Sequence, residues 1–136
     1  MQTAIALFAL VLAQGGQQFD LACAGTTTHY EDVGQVAPKV STFPWSDTYR
    51  IDLDAGLWCP DRCDNVRQFV EVSPGQLILV RTPDGERYVA VNRITGRISM
   101  IQVDPNGRFD GANPSKTTTD AQCEKRDFTP IPRARF

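Results

Sequence analysis

The chain has one histidine, His29, in 136 residues. A two-histidine metal site is therefore excluded. Any Ser or Cys nucleophile would have to use His29 as its base, and no neighbour in sequence is placed to orient that ring. Gly-x-Ser-x-Gly, the phosphate-binding P-loop, the dinucleotide fingerprint and His-Glu-x-x-His are all missing. Charge of one sign is missing too: 14 Lys and Arg stand against 16 Asp and Glu, a net charge of -2. That balance gives no basic face for nucleic acid and no polybasic membrane signal. No apolar run is long enough to span a bilayer, which takes about 20 residues.

The longest such run is Thr3 to Ala13. It has the length of a signal-peptide core and is followed by polar Gln14-Gly-Gly-Gln-Gln18. Val11-Leu12-Ala13 offers small residues where a signal peptidase reads, so residues 1–13 are expected to be a cleaved leader. Residues 14–136 are then a single domain, and residues 129–136, with two prolines, a flexible tail. Ala22-Cys23-Ala24 is a second cleavage candidate, but it lies far from the apolar run. Lipidation of Cys23 would want an aliphatic residue three places earlier, and Asp20 is there instead. The expected location is the periplasm or the outside of the cell, with no stable membrane insertion after cleavage.

Four cysteines, 23, 59, 63 and 123, are an even number in an exported chain, which reads as disulfides. Three pairings exist. Cys59–Cys63, closing a tight loop, and Cys23–Cys123, tying the first strand to the last, are favoured. Structural zinc usually takes two cysteine knuckles, and only one is present. Cys-x-x-x-Cys is not the redox Cys-x-x-Cys spacing. No metal and no cofactor are expected.

Between the outer cysteines stand short runs of Val, Ile, Leu and aromatics separated by turn residues: 48–58, 66–72, 76–82, 87–92 and 97–103. With Phe19 to Gly25 before them and Ala121 to Phe128 after, they spell an antiparallel meander of about seven strands. The fold class is all-β, a small barrel or strongly curled sheet stapled by disulfides. Phe19, Leu21 and Cys23 alternate with Asp20, Ala22 and Ala24, so one face of the first strand points inward. Leu77 to Val80 is continuously apolar, the mark of a central strand. Ser73-Pro-Gly-Gln76 has type II turn chemistry, and Gly96 suits a left-handed bulge position.

Residues 29–47 and 104–120 have no period and read as long loops. Val40, Phe43 and Trp45 are large apolar groups on the first of these. They either cap an open end of the sheet or form a ligand-binding lip. Asp52 and Asp54 share a strand face, as a glycosidase pair would, but Arg50 on that face can neutralise them. Asp104, Asn106 and Asp110 fail the calcium-loop spacing.

Phe19-Asp-Leu-Ala-Cys23-Ala-Gly25, Tyr49-Arg-Ile-Asp-Leu53 with Gly56 and Trp58-Cys59, Thr95-Gly96-Arg97 and the late Cys123 together resemble a group of small exported proteins of the Gram-negative envelope. That resemblance implies a compact β fold and transfers no active residue. The general plan is also similar to envelope β-barrel inhibitors of c-type lysozyme, although their Ser-Gly-x-x-Tyr motif is absent. The expected role is a non-catalytic binding or structural module whose partner is an envelope protein or small ligand. Alternatives are a lysozyme-inhibitor-like protein binder, a calycin-like carrier of an apolar molecule and a hydrolase using His29.

Overall fold

A computed structural model describes residues 17–33, 36–105 and 114–132. The expected leader 1–13, residues 106–113 of the second expected loop (with Asn106 and Asp110) and residues 133–136 lie outside the described residues. The strands are β1 (Gln18–Glu31), β2 (Lys39–Asp52), β3 (Leu57–Pro60), β4 (Arg67–Gln68), β5 (Glu71–Val72), β6 (Gln76–Arg81), β7 (Arg87–Asn92), β8 (Arg97–Asp104) and β9 (Ser115–Arg126). They form one antiparallel sheet in the order β4-β3-β2-β1-β9-β8-β7-β6-β5. The fold is all-β, as the alternating runs imply, and the sheet curls into a half-barrel.

The two outermost strands of the sheet, β4 and β5, are neighbours in sequence. Residues 66–72, expected as one strand, split between the sheet's two ends. Arg67 and Gln68 pair with β3, while Glu71 and Val72 pair with β6. At the crossing, the Phe69 N–H donates to Gly56 O at 3.2 Å and the Val70 N–H to Ile78 O at 2.9 Å. One short segment thus stitches both ends of the curl together.

The largest departure from expectation lies at residues 29–47. Most of them are strand, not loop: β1 and β2 are each 14 residues long and pair without a break from Gln18↔Asp52 to Glu31↔Lys39, which leaves only 32–38 between the two strands. Alternation disappears from the sequence there because the inward face turns polar, with Thr27, His29 and Ser41 where apolar residues stood earlier. A period-2 hydrophobic signal needs an apolar face; β propensity alone carries this hairpin, through Thr26 to Thr28, Tyr30, Val40, Thr42 and Phe43. For the same reason β9 begins at Ser115 rather than Ala121, since Thr117, Thr118 and Thr119 extend it.

One expected turn forms as read and the other does not. Gly96 is left-handed (φ 75°), and its N–H closes the β7–β8 hairpin on Asn92 O at 2.8 Å. Gly85 (φ 73°) does the same service after Pro83-Asp84. Gly75 is not left-handed, so Ser73-Pro-Gly-Gln76 is not a type II turn. The Ser73 hydroxyl replaces the missing turn geometry by accepting the Gln76 N–H at 3.1 Å. Leu77 to Leu79 is buried as expected, but β6 is one strand from the sheet end rather than central.

The concave face holds the core: Phe19, Leu21 and Cys23 from β1, Tyr49 and Ile51 from β2, Trp58, Leu77, Leu79, Val89, Val91, Ile98, Ala121 and Cys123. Tyr49 and Trp58 meet edge-on with centroids 6.1 Å apart. Both favoured disulfides are present, Cys23–Cys123 and Cys59–Cys63. The first joins directly opposed residues of β1 and β9. That staple lies mid-sheet, whereas the ends of the curl are joined by residues 66–72. Two disulfides are compatible with an oxidising, exported environment.

The last described residues are tied down. Asp20 is buried on the convex side and accepts both the Thr129 N–H at 3.0 Å and the Thr129 hydroxyl at 2.6 Å. Arg50 donates to Pro130 O at 2.9 Å and to Asp61 O at 2.7 Å. The start of the expected tail is therefore held across β1 and β2. Arg50 does not neutralise Asp52, which accepts instead from Gln18 Nε2 at 3.2 Å and from the Ala55 N–H at 3.0 Å. A free carboxylate pair does not form there.

The apolar core ends at a buried pair of hydroxyls, Thr27 and Thr119, 2.8 Å apart. Removing one partner leaves the other unsatisfied away from water, at a cost of about 1–3 kcal/mol. Thr27→Val should lower the denaturation midpoint accordingly. The double variant Thr27→Val/Thr119→Val should recover most of the loss, which a double-mutant cycle in urea would measure.

Candidate functional site

The concave face is laid down in cross-strand rows, because antiparallel register brings same-face residues side by side. One row is Trp45–Gly25–Ala121–Ile98–Val91, and the next is Phe43–Thr27–Thr119–Met100–Val89. The third is Ser41–His29–Thr117–Gln102–Arg87, and the outermost is Lys39–Glu31–Ser115–Asp104. Two residues of strand separate successive rows. Within that short distance the lining changes from Trp, Ile and Val to His, Glu, Asp and hydroxyls.

A cleft of about 500 Å³ opens over these outer rows, lined by His29, Glu31, Ser41, Phe43, Gln102 and Thr117 among others. His29 sits at its centre. Its Nδ1 lies 2.9 Å from Thr117 Oγ1, and its Nε2 lies 3.5 Å from Glu31 Oε1. Both ring nitrogens are thus occupied by neighbours on the same face. Phe43 rises beside the histidine row and is about half exposed. The cleft therefore combines one aromatic wall, an imidazole, hydroxyls and an amide.

No orienting partner for His29 is expected from its sequence neighbours, yet Glu31 is one. The signal was present as His-x-Glu, since residues two apart on a strand share a face. It carries meaning only on a strand, and the sequence around it has no apolar alternation to mark one. The Thr-His-Glu contacts still fall short of acyl-transfer chemistry. An oxyanion needs unengaged N–H donors aimed at one point, whereas the backbone around His29 and Thr117 is engaged in the sheet ladder. Among the described residues no group of three or more His, Cys, Asp or Glu is placed to hold a metal ion.

The three expected lip residues separate. Trp45 is half-buried and packs against the core, which makes it a structural residue of the apolar row. Phe43 lines the cleft. Val40 is exposed, but by strand parity it points from the convex side, beside Tyr30.

Nearby carboxylates shift one another. Asp84 is held below its ordinary value by hydrogen bonds from the Thr82 hydroxyl and the Glu86 N–H. Glu86 is raised, mainly by the charge of Asp84 and in smaller part by Asp104. Tyr49 is raised well above the ordinary tyrosine range, first by burial and then by the charge of Asp47. Among the described residues its hydroxyl reaches only the Met100 sulfur, at 3.9 Å. A raised folded value leaves the tyrosine's contribution to stability whole below about pH 10, the unfolded value. That contribution is lost as pH climbs from there through the folded value. Alkaline absorbance titration should show one tyrosine ionising only as the protein unfolds, and Tyr49→Phe should remove that late step.

Compared with known proteins, the chain matches no family model, no curated protein and no solved structure. The function must come from the site itself.

Proposed function

We propose that the protein is a small exported β-domain of the periplasm or extracellular space, released by cleavage after residue 13, that binds a protein segment or small ligand in the cleft around His29 and Phe43. The observation that carries this reading is the polar turn of the concave face beside an exposed aromatic. Buried sheet faces do not normally end in His, Glu and hydroxyls beside a half-exposed Phe. Small-ligand and peptide sites commonly pair an apolar wall with a few convergent polar groups. The apolar N-terminal run and the two disulfides support export.

Other readings have less support. A calycin-like carrier needs an empty apolar interior, and here the apolar rows are filled by Phe19, Leu21, Tyr49, Ile51, Ile98 and their neighbours. A hydrolase using His29 has an orienting carboxylate, but the backbone beside His29 and Thr117 is engaged in the sheet ladder. A lysozyme-inhibitor-like binder rests on the general plan alone.

The test separates lining from core. Phe43→Ser should change stability by less than about 1 kcal/mol, as surface changes do. Trp45→Ser should cost about 2 kcal/mol or more through lost packing. Fragments and short peptides screened by NMR should then shift the amides of His29, Ser41, Phe43 and Thr117, and Phe43→Ser should abolish those shifts. Hits that cluster elsewhere, or that survive Phe43→Ser unchanged, would refute the site.

A further inference from the structure

The edge of β2 is open over most of its length. One side of β2 pairs with β1 along all 14 residues, while the other side pairs with β3 only from Tyr49 to Asp52. Among the described residues nothing pairs with that outer side from Lys39 to Thr48. Which groups face out follows from parity. The Leu53 N–H donates to Gln17 O on the β1 side, so odd-numbered residues of β2 bond inward and even-numbered ones outward. Thr48 agrees, because its N–H finds the Asp47 carboxylate instead of a strand, at 2.8 Å. The N–H groups of Val40, Thr42 and Ser46 are therefore presented outward, together with the C=O groups of Val40, Thr42, Pro44 and Ser46.

We propose that this edge pairs with the same edge of a second copy, antiparallel, with Thr42 on the two-fold axis. The inference goes beyond ligand binding in the cleft and does not depend on it. A two-fold contact must be self-complementary, and this register is. Thr42 faces the partner's Thr42, and the two exchange both backbone hydrogen bonds. Val40 faces the partner's Pro44, so the proline's missing N–H costs one bond while its C=O still accepts from Val40. Lys39 is the lone charge from 38 to 46, and this register sets it against the partner's Trp45 rather than against another lysine. Val40 and Phe43, exposed at 56% and 47%, gain cover from the partner's Pro44 and Ser41. A long, nearly uncharged edge with unpaired N–H and C=O groups is a ready template for such pairing. Lys39 and Pro44 limit how far it extends, which favours a closed dimer over a fibre.

Light scattering on the mature protein, from micromolar to near-millimolar, reads the mass directly. Wild type should pass from monomer to dimer with concentration. Thr42→Pro removes an outward N–H that serves nothing inside the monomer, and it should remain monomeric with its melting temperature little changed. Should that proline prevent folding, Thr42→Cys decides: opposed hydrogen-bonded residues sit about 5.5 Å apart between Cα atoms, within disulfide reach. It should form a covalent dimer on mild oxidation, with both native disulfides intact, far faster than Thr95→Cys. A chain that stays monomeric throughout, a folded Thr42→Pro that dimerises as wild type does, or equal cross-linking of the two cysteine variants overturns the proposal. In the first case a strand of some other protein becomes the occupant. Loss of dimer with NMR hits retained at Phe43 leaves the cleft reading untouched, and the reverse holds as well.

Discussion

Gly25→Ala should be the most damaging glycine-to-alanine change among the described residues. A Cβ on Gly25 would lie 2.2 Å from Asp120 O, 2.5 Å from Ala121 Cα and 2.7 Å from Ala121 Cβ. These neighbours are mostly backbone, so no rotamer change relieves the clash. The close approach has a cause in the ladder. Odd residues of β1 bond to β2, which makes Gly25↔Ala121 a non-hydrogen-bonded pair with β9, the kind whose Cα atoms come nearest. The same row holds Trp45 and Ile98, and Ala121 is fully buried. Admitting a methyl group means parting β1 from β9 at the middle of the sheet. Overpacking in a well-fitted core costs about 1–3 kcal/mol, and more when backbone must move. The expected loss is about 3 kcal/mol or more, seen as a melting temperature lowered by roughly 10 °C or as failure to fold. Ala24→Gly, next door on the convex face, should cost no more than about 1 kcal/mol. A Gly25→Ala variant as stable as wild type would contradict the register of β1 against β9.

The two disulfides should differ widely in what their loss costs. Cys23 and Cys123 are 100 residues apart, Cys59 and Cys63 only 4. On the chain-entropy model, closing a loop of about 100 residues restricts the unfolded chain by about 4.7 kcal/mol, and a five-residue loop by about 2 kcal/mol. Cys23→Ala/Cys123→Ala should therefore destabilise the domain far more than Cys59→Ala/Cys63→Ser. Equilibrium urea unfolding of the two double variants measures the gap. The local bridge has another task, since it shapes the loop whose Asp61 C=O accepts from Arg50. Its loss should chiefly loosen that loop and the last described residues, which hydrogen exchange would register. Equal losses from the two variants would count against the long-range pairing.

What could be read from the residues follows the apolar rows. Phe19, Leu21, Cys23, Tyr49, Ile51 and Ile98 alternate or cluster, so their strands and their inward face were legible, and with them the all-β class and both cysteine pairs. Gly96 announced its hairpin because only a left-handed position favours glycine so strongly there. Legibility failed where the inward face is polar. His29, Ser41 and Thr117 face inward as surely as Leu21 does, but a polar residue facing inward looks no different from one facing water. The cleft was hidden for that reason, and Glu31 with it. The split of residues 66–72 was unreadable for another reason. Val66, Phe69, Val70 and Val72 have strand propensity, but which sheet end each half joins depends on how far the whole sheet curls, a property of nine strands together.

The disulfide between β1 and β9 staples the middle of the sheet, and the proposal adds that the domain is exported. The measurement that tests it most directly is intact-mass and disulfide-linked peptide analysis of the protein expressed in a Gram-negative host and recovered without reduction. The expected chain lacks residues 1–13, is four hydrogens lighter than its reduced form, and has Cys23 linked to Cys123 and Cys59 to Cys63. An uncleaved chain, free thiols or Cys23 linked to Cys59 or Cys63 would contradict it.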